Sequence, residues 1–245
     1  MFVNTYFKNF GTKFLSSSGV QSFASFLPSG NNPASILHTV ERVAAAKTVF
    51  LTLGTNHVYR LKETGEIVDN CQKRPATLFD EEELTVDQCA DYLQQAIDIL
   101  REKNPDVHIV LTVSPIRYRK YGYHGSQLSK ATLLLAIDKH TANRRPSTVN
   151  YFPAYEIVND ELRDYRFYQD DMLHPSSQAV EYIWQRFSEV YLSDEARSFL
   201  KEWAPLKAAL AHKPFDPASE DYKAFMDKTM LKIAALQKKY PTFAF

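Results

Sequence analysis

Apolar positions along the chain switch between two spacings. Residues 47–54 (KTVFLTLG) and 107–114 (VHIVLTVS) are near-continuous apolar, β-branched runs, the first closing on glycine and the second running into Pro115. Such runs predict strands covered on both faces, as in a parallel sheet. A shorter run at 148–152 (TVNYF), stopped by Pro153, predicts another strand, and Phe2-Val3 has the character of a first-strand stump. Between the runs the spacing becomes helical. Thr85 with Gln88 three residues on forms a capping box, after which Val86, Cys89, Leu93, Ile97 and Leu100 keep one stripe as far as Asn104-Pro105. Ser35 caps a segment bearing Ile36, Val40 and Val43; residues 128–141 carry Leu133, Leu134 and Ile137 inward; residues 176–191 carry Val180, Ile183, Phe187 and Val190. Strands alternating with crossover helices predict an α/β fold.

From Ser193 the pattern changes to Lys-, Glu- and Ala-rich helical segments around 195–211 and 219–239, punctuated by Pro205, Pro214 and Pro217. This predicts an α/β domain over residues 1–192 and a helical C-terminal extension over 193–245, packed on it. Composition adds few constraints. With 44% hydrophobic and 24% charged residues in a chain of 245, a sizeable core is feasible. Lys+Arg 29 balances Asp+Glu 29, so no global field draws the chain to nucleic acid or anionic lipid. Lys232, Lys238 and Lys239 are read as a solvated helix face. Two cysteines, Cys71 and Cys89, are too few for a disulfide framework or a Cys-based zinc site. Without a signal-peptide pattern or a long apolar run, a soluble cytoplasmic protein is expected.

The chemistry-bearing residues fall in three places. Asp171-x-x-His174 stands in a segment entering a helix, a spacing that suits a carboxylate orienting an imidazole at Nδ1 and leaving Nε2 to take a proton. The plainer reading is an Asp that caps backbone N–H groups beside a packed His. Gly54-Thr-Asn56-His57 follows a predicted parallel strand, where α/β proteins bind ligands. There Asn56 either offers its amide to a developing oxyanion or satisfies a local turn. Gly30 lies in a turn cluster (PSGNNP, 28–33) that reads first as a plain loop, with the Gly30 N–H as a second candidate donor. Finally, Arg117, Tyr118, Arg119, Tyr121 and Tyr123 make a basic, aromatic run after the strand ending at Ser114, with Tyr165 to Tyr168 before Asp171. They are either two walls of a pocket for a sugar or an anionic group, or a solvated Arg-Tyr surface.

Gly30, Gly54-x-Asn56 and Asp171-x-x-His174 occur in the order of the second, third and fifth sequence blocks of the SGNH (GDSL-like) hydrolases. More closely, the chain resembles the GSCFA-domain branch of that superfamily. The resemblance is carried by residues 52–55 (TLGT), 69–75 (DNCQKRP), 113–117 (VSPIR), 129–134 (SKATLL), 151–157 (YFPAYEI), 160–168 (DELRDYRFY) and 171–175 (DMLHP), and it continues into 209–215 (ALAHKPF).

That resemblance implies a three-layer α/β/α, flavodoxin-like fold with a parallel sheet, and ester hydrolysis or O-deacetylation of an acylated carbohydrate or other small acyl ester. His174 would be the base, Asp171 its orienter, and Gly30 and Asn56 the oxyanion donors. Asn4, Gly54, His57 and Arg117 would line the substrate site. No metal or organic cofactor, nucleic acid or membrane partner is implied. The chain departs from the pattern at its start. The name-giving Gly-Ser-Cys-Phe-Ala is missing; a gapless alignment on 9–11 (NFG) puts Asn4 where serine belongs, and one deletion puts Thr5 there, the nearest hydroxyl. Gln72 also stands where the branch has histidine. The alternative to an enzyme is a catalytically inactive relative that retains the pocket and binds its ligand.

Overall fold

The computed structural model describes residues 20–22, 46–68, 71, 73–141 and 148–241. The predicted strand at Phe2-Val3, the helix opened by Ser35, and the candidate residues Asn4, Thr5 and Gly30 lie outside them. The fold is α/β. Strands β1 (Val20–Ser22), β2 (Thr48–Leu53), β6 (His108–Val113) and β7 (Val149–Phe152) form a parallel sheet in the order β1-β2-β6-β7. Thr48–Leu53 pairs residue for residue with His108–Val113. On β6, residues 109–113 are all buried, as expected of a central strand covered on both faces.

Two crossover helices cover the sheet. Helix α1 (Val86–Lys103) opens with the predicted capping box: Gln88 N–H donates to Thr85 Oγ1 at 3.2 Å and Thr85 N–H to Gln88 Oε1 at 2.8 Å. Its stripe of Cys89, Leu93, Ile97 and Leu100 packs in one cluster with Leu133, Ala136 and Ile137 of α2 (Gly122–Thr141) and with Val49, Leu51, Ile109 and Leu111 of the sheet. His140 of α2 reaches the Ala90 carbonyl of α1 at 2.9 Å through Nε2, fixing the two helices side by side.

A second sheet was not anticipated. Strands β3 (His57–Leu61), β4 (Ile67–Val68) and β5 (Phe79–Glu83) form an antiparallel sheet in the order β4-β3-β5, inserted between β2 and α1. Its strands are short and charged, so they lack an apolar signal. Cross-strand ion pairs help hold them instead, Arg60 to Glu82 at 2.8 Å and Lys62 to Asp80 at 3.4 Å. The β3–β4 turn needs Gly65, whose φ is +71°.

After β7 the chain makes a helical turn (Ala154–Glu156), a π-helical turn (Ile157–Leu162) ended by Arg163 in the left-handed region, and then the loop carrying Asp171 and His174. Helix α3 (Ser177–Tyr191) follows; Phe187 is buried, but the expected inward Val190 is 68% exposed.

Contacts divide the chain between Ile183 and Trp184. In the second unit, α4 (Asp194–Leu210) and α5 (Glu220–Lys239) are capped by Ser193 and Ser219 and bury Phe199, Trp203, Leu206, Ile233 and Leu236 together. Pro205 lies inside α4 without ending it. Among the described residues no helix is long and apolar enough to cross a membrane.

Leu93 is fully buried between α1 and the sheet. Leu93→Ala is expected to lower unfolding free energy by about 2–5 kcal/mol, and Thr85→Ala by ~1 kcal/mol, in urea titrations.

Candidate functional site

The loop between β7 and α3 is shaped by its own backbone bonds. Gln169 N–H donates to the His174 carbonyl at 2.8 Å and Met172 N–H to the Gln169 carbonyl at 2.9 Å. Met172 has φ +57°, a left-handed conformation that a non-glycine residue adopts only when its surroundings enforce it. The bend lets one carboxylate oxygen of Asp171 accept the N–H groups of Leu173 and His174, at 2.8 and 3.0 Å. The other oxygen, Oδ2, meets His174 Nδ1. Asp171 thus both caps backbone donors and contacts the imidazole. Hydrogen bonds from the His174 backbone and ring, and from the Leu173 backbone, hold the Asp171 carboxyl at about 2. It is a carboxylate at any working pH.

Arg117 reaches the same loop from the end of β6. Its backbone N–H donates to the Leu173 carbonyl at 3.2 Å, and its guanidinium lies 4.1 Å from the Tyr168 ring centre, with Tyr165 and Tyr123 at 5.6 and 5.8 Å. A cleft of about 480 Å³ opens here, lined by Arg117, Tyr123, Ser126, Gln127, Tyr165 and Met172.

Gly54, Asn56 and His57 form a separate group at the end of β2. Gly54 to Asn56 are buried. Asn56 Nδ2 donates to the Leu84 carbonyl at 2.7 Å, while Leu84 N–H returns a bond to the Asn56 carbonyl at 3.0 Å, so Asn56 ties the end of β2 to the end of β5. Its Oδ1 is buried without a hydrogen-bond partner among the described residues. His57 opens β3 and stacks on Tyr121, ring centres 3.6 Å apart and planes 6° from parallel. Burial lowers its pKa from the ordinary histidine value, against the Glu83 and Glu81 carboxylates that raise it. Neither Asn56 nor His174 lines the cleft beside Arg117.

The two groups are joined through one face of α2. Ser126 Oγ accepts the Tyr118 N–H at 3.1 Å; Ser129 Oγ accepts the Asn56 N–H at 2.9 Å and bonds the Thr55 hydroxyl at 2.9 Å. Lys130, 2% exposed, donates through Nζ to the Gly54 carbonyl at 2.5 Å and the Ser114 carbonyl at 2.6 Å, bridging the ends of β2 and β6. Sequence reasoning assigned these three side chains no role. The signal was present: Ser126, Lys130, Leu133 and Ile137 share the inward spacing of α2, and a lysine on an apolar stripe must find partners. Among the described residues no three His, Cys, Asp or Glu side chains gather into a metal-binding set.

Residues 26–187, well over half of the chain, match the GSCFA family, and residues 203–245 match the C-terminal domain of GSCFA domain proteins. The chain belongs to the GSCFA family. A comparison with curated proteins found no match. Gly54, Asn56, His57, Arg117, Lys130, Asp171 and His174 all fall inside the GSCFA match, whereas Asn4 and Thr5 precede it. In this GSCFA protein the rim therefore rests on a buried lysine, with a pinned Asp-His pair on a neighbouring loop.

Burial pulls the Lys130 ammonium down to about 7. The unfolded chain keeps that proton up to ~10.4. Below about 7 both states hold it and the burial penalty is constant; between about 7 and ~10.4 only the unfolded state does, so this residue makes stability rise with pH. In urea titrations at pH 7 and pH 9.5, Lys130→Met is expected to lose that rising component. An unchanged slope would contradict it.

Proposed function

We propose that this GSCFA-family chain is an ester hydrolase or O-deacetylase of the SGNH type. It acts in the cytoplasm on an acylated carbohydrate or another small acyl ester, within the three-layer flavodoxin-like arrangement that its parallel sheet and crossover helices suit. The observation that carries the reading is the Asp171–His174 pair: a carboxylate on Nδ1 of an imidazole, in a loop whose own N–H groups bond the carboxylate's other oxygen. With Asp171 on Nδ1, Nε2 would remove a proton from a nucleophile, and Asp171 would stabilise the imidazolium that forms. The nucleophile is the Thr5 hydroxyl or a water. The Gly30 N–H and the second amide N–H of Asn56 would receive the oxyanion. With a water as nucleophile, attack on the acyl carbon yields the carboxylic acid, and the proton held by His174 passes to the departing alcohol.

A second reading, a ligand-binding relative without turnover, is favoured by two observations. Neither position 4 nor position 5 is serine, and the Asn56 amide is already engaged by the Leu84 carbonyl.

Short-chain nitrophenyl esters separate the two. Turnover by the wild type that falls at least ~100-fold in His174→Ala with an unchanged melting temperature, and in Asp171→Asn with a lowered one because its loop-capping carboxylate is lost, is the expected result. Thr5→Ala then distinguishes the hydroxyl from water, since only a hydroxyl nucleophile is lost with it. Folded wild type without turnover would leave the binding reading. Because Asp171 is ionised down to about 2, any loss of activity on mild acidification is expected to report another group.

A further inference from the structure

The cleft beside Arg117 has a chemical bias that the hydrolytic pair does not explain. Every polar side chain that sets its character presents a donor. The Arg117 guanidinium is half-buried, and no carboxylate among the described residues pairs with it; its one side-chain hydrogen bond, to the Met172 carbonyl, is long at 3.4 Å. Gln127 accepts the Tyr155 hydroxyl on Oε1, which leaves its amide N–H groups as donors. Ser126 accepts the Tyr118 N–H on Oγ, leaving its own hydroxyl proton to donate. No Asp or Glu lines the walls.

Among the described residues Arg117 is the one Lys or Arg that lines the cleft, and several cations of the surrounding segments carry acidic partners. Lys120 bonds Glu81 at 2.7 Å, Arg163 bonds Asp160 at 2.9 Å, and Arg166 lies 3.6 Å from Asp164. Arg117 is the cation left facing the cleft, so the charge to be matched is a single negative one. The guanidinium is also placed before any ligand arrives, 4.1 Å from the ring centre of buried Tyr168 and flanked by Tyr165 and Tyr123. A fixed fork of N–H groups matches a carboxylate bidentately, and fixing it in advance reduces the ordering cost of binding. The tyrosine faces, 66% exposed at Tyr165 and 53% at Tyr123, are flat apolar walls on which the C–H face of a pyranose can lie. At about 480 Å³ the cleft lies within the ~300–1,000 Å³ typical of small-ligand sites.

We infer that this cleft binds an acidic sugar, a pyranose bearing a carboxylate, with the carboxylate on Arg117, the ring between Tyr123 and Tyr165, and its hydroxyls met by Gln127 and Ser126. As the substrate subsite of a deacylase it rests on the hydrolase reading above. As a binding site it does not.

The test is calorimetric titration of the full chain with methyl β-glucuronoside, methyl β-glucoside and inorganic phosphate. The expected result is that the glucuronoside binds at least tenfold more tightly than the glucoside. Arg117→Gln should abolish that preference, while Tyr165→Ala, at an exposed ring, weakens both sugars together. Gln127→Leu, which leaves Arg117 in place, should weaken the glucuronoside and guards against a misfolded Arg117 variant. Equal affinities for the two glycosides, no binding of either, a preference that survives Arg117→Gln, or tighter binding of phosphate would each overturn the proposal. Intact glucuronoside binding without ester turnover would remove the hydrolase reading alone; turnover without glucuronoside binding would remove the acidic-sugar site alone.

Discussion

The buried ammonium of Lys130 is the interaction on which the candidate site depends. Two adjacent parallel strands, β2 and β6, end with carbonyls that have no further strand partner, and Nζ bonds one from each. The loop from Gly54 into β3 and the loop from Ser114 to Arg117 therefore start from a common anchor. Burial weakens the ammonium's hold on its proton, and its neighbours are the two carbonyls and the Tyr118 ring 5.3 Å away. Ser129, its neighbour on α2, fixes Thr55 and the Asn56 N–H, and Ser126 one turn earlier fixes Tyr118. A single helix face thus sets the register of two strand-end loops.

The third loop adds order of its own through local bonds. Asp171 caps two N–H groups within its own bend and still presents an oxygen to the imidazole. Arg117 then docks this loop against the end of β6 through the Leu173 carbonyl. Structural and chemical roles coincide in these residues: the carboxylate that shapes the loop also orients the ring, and the arginine that joins the loops also faces the cleft. Asn56 shows the same economy at the end of β2, where its amide holds β5 while its Oδ1 is left without a partner among the described residues.

Charge balance for the whole chain conceals strong local organisation. On the small antiparallel sheet, burial tends to raise the Glu81 pKa, but bonds from Lys120 and Tyr121 outweigh it and keep Glu81 ionised. Acids there are matched by Arg60, Lys62 and Lys120. The cleft by Arg117 is the contrasting region, with donors and a cation but no acid. Formal neutrality is compatible with a guanidinium that has no acidic partner among the described residues in a depression on the surface.

The strands at 48–53, 108–113 and 149–152, the capped α1 and its buried stripe, and the two C-terminal helices follow from spacing alone, because each is specified by contiguous residues. Asp171 and His174 belong with them: acid and imidazole lie three residues apart, and the bend joining them is local. The small sheet β4-β3-β5 was not legible, since its ion pairs join residues such as Arg60 and Glu82, 22 positions apart, on strands with little apolar signal. Nor was the task of Lys130, whose carbonyl partners come from the ends of two different strands 76 and 16 positions away. The tyrosines around Arg117 likewise come from α2 and from the segment after β7. A sequence pattern specifies what one element buries and what neighbouring residues can bond. Which carbonyls, rings and donors meet across elements is decided only when the chain closes on itself, because those contacts depend on distances in space that separation along the chain does not constrain.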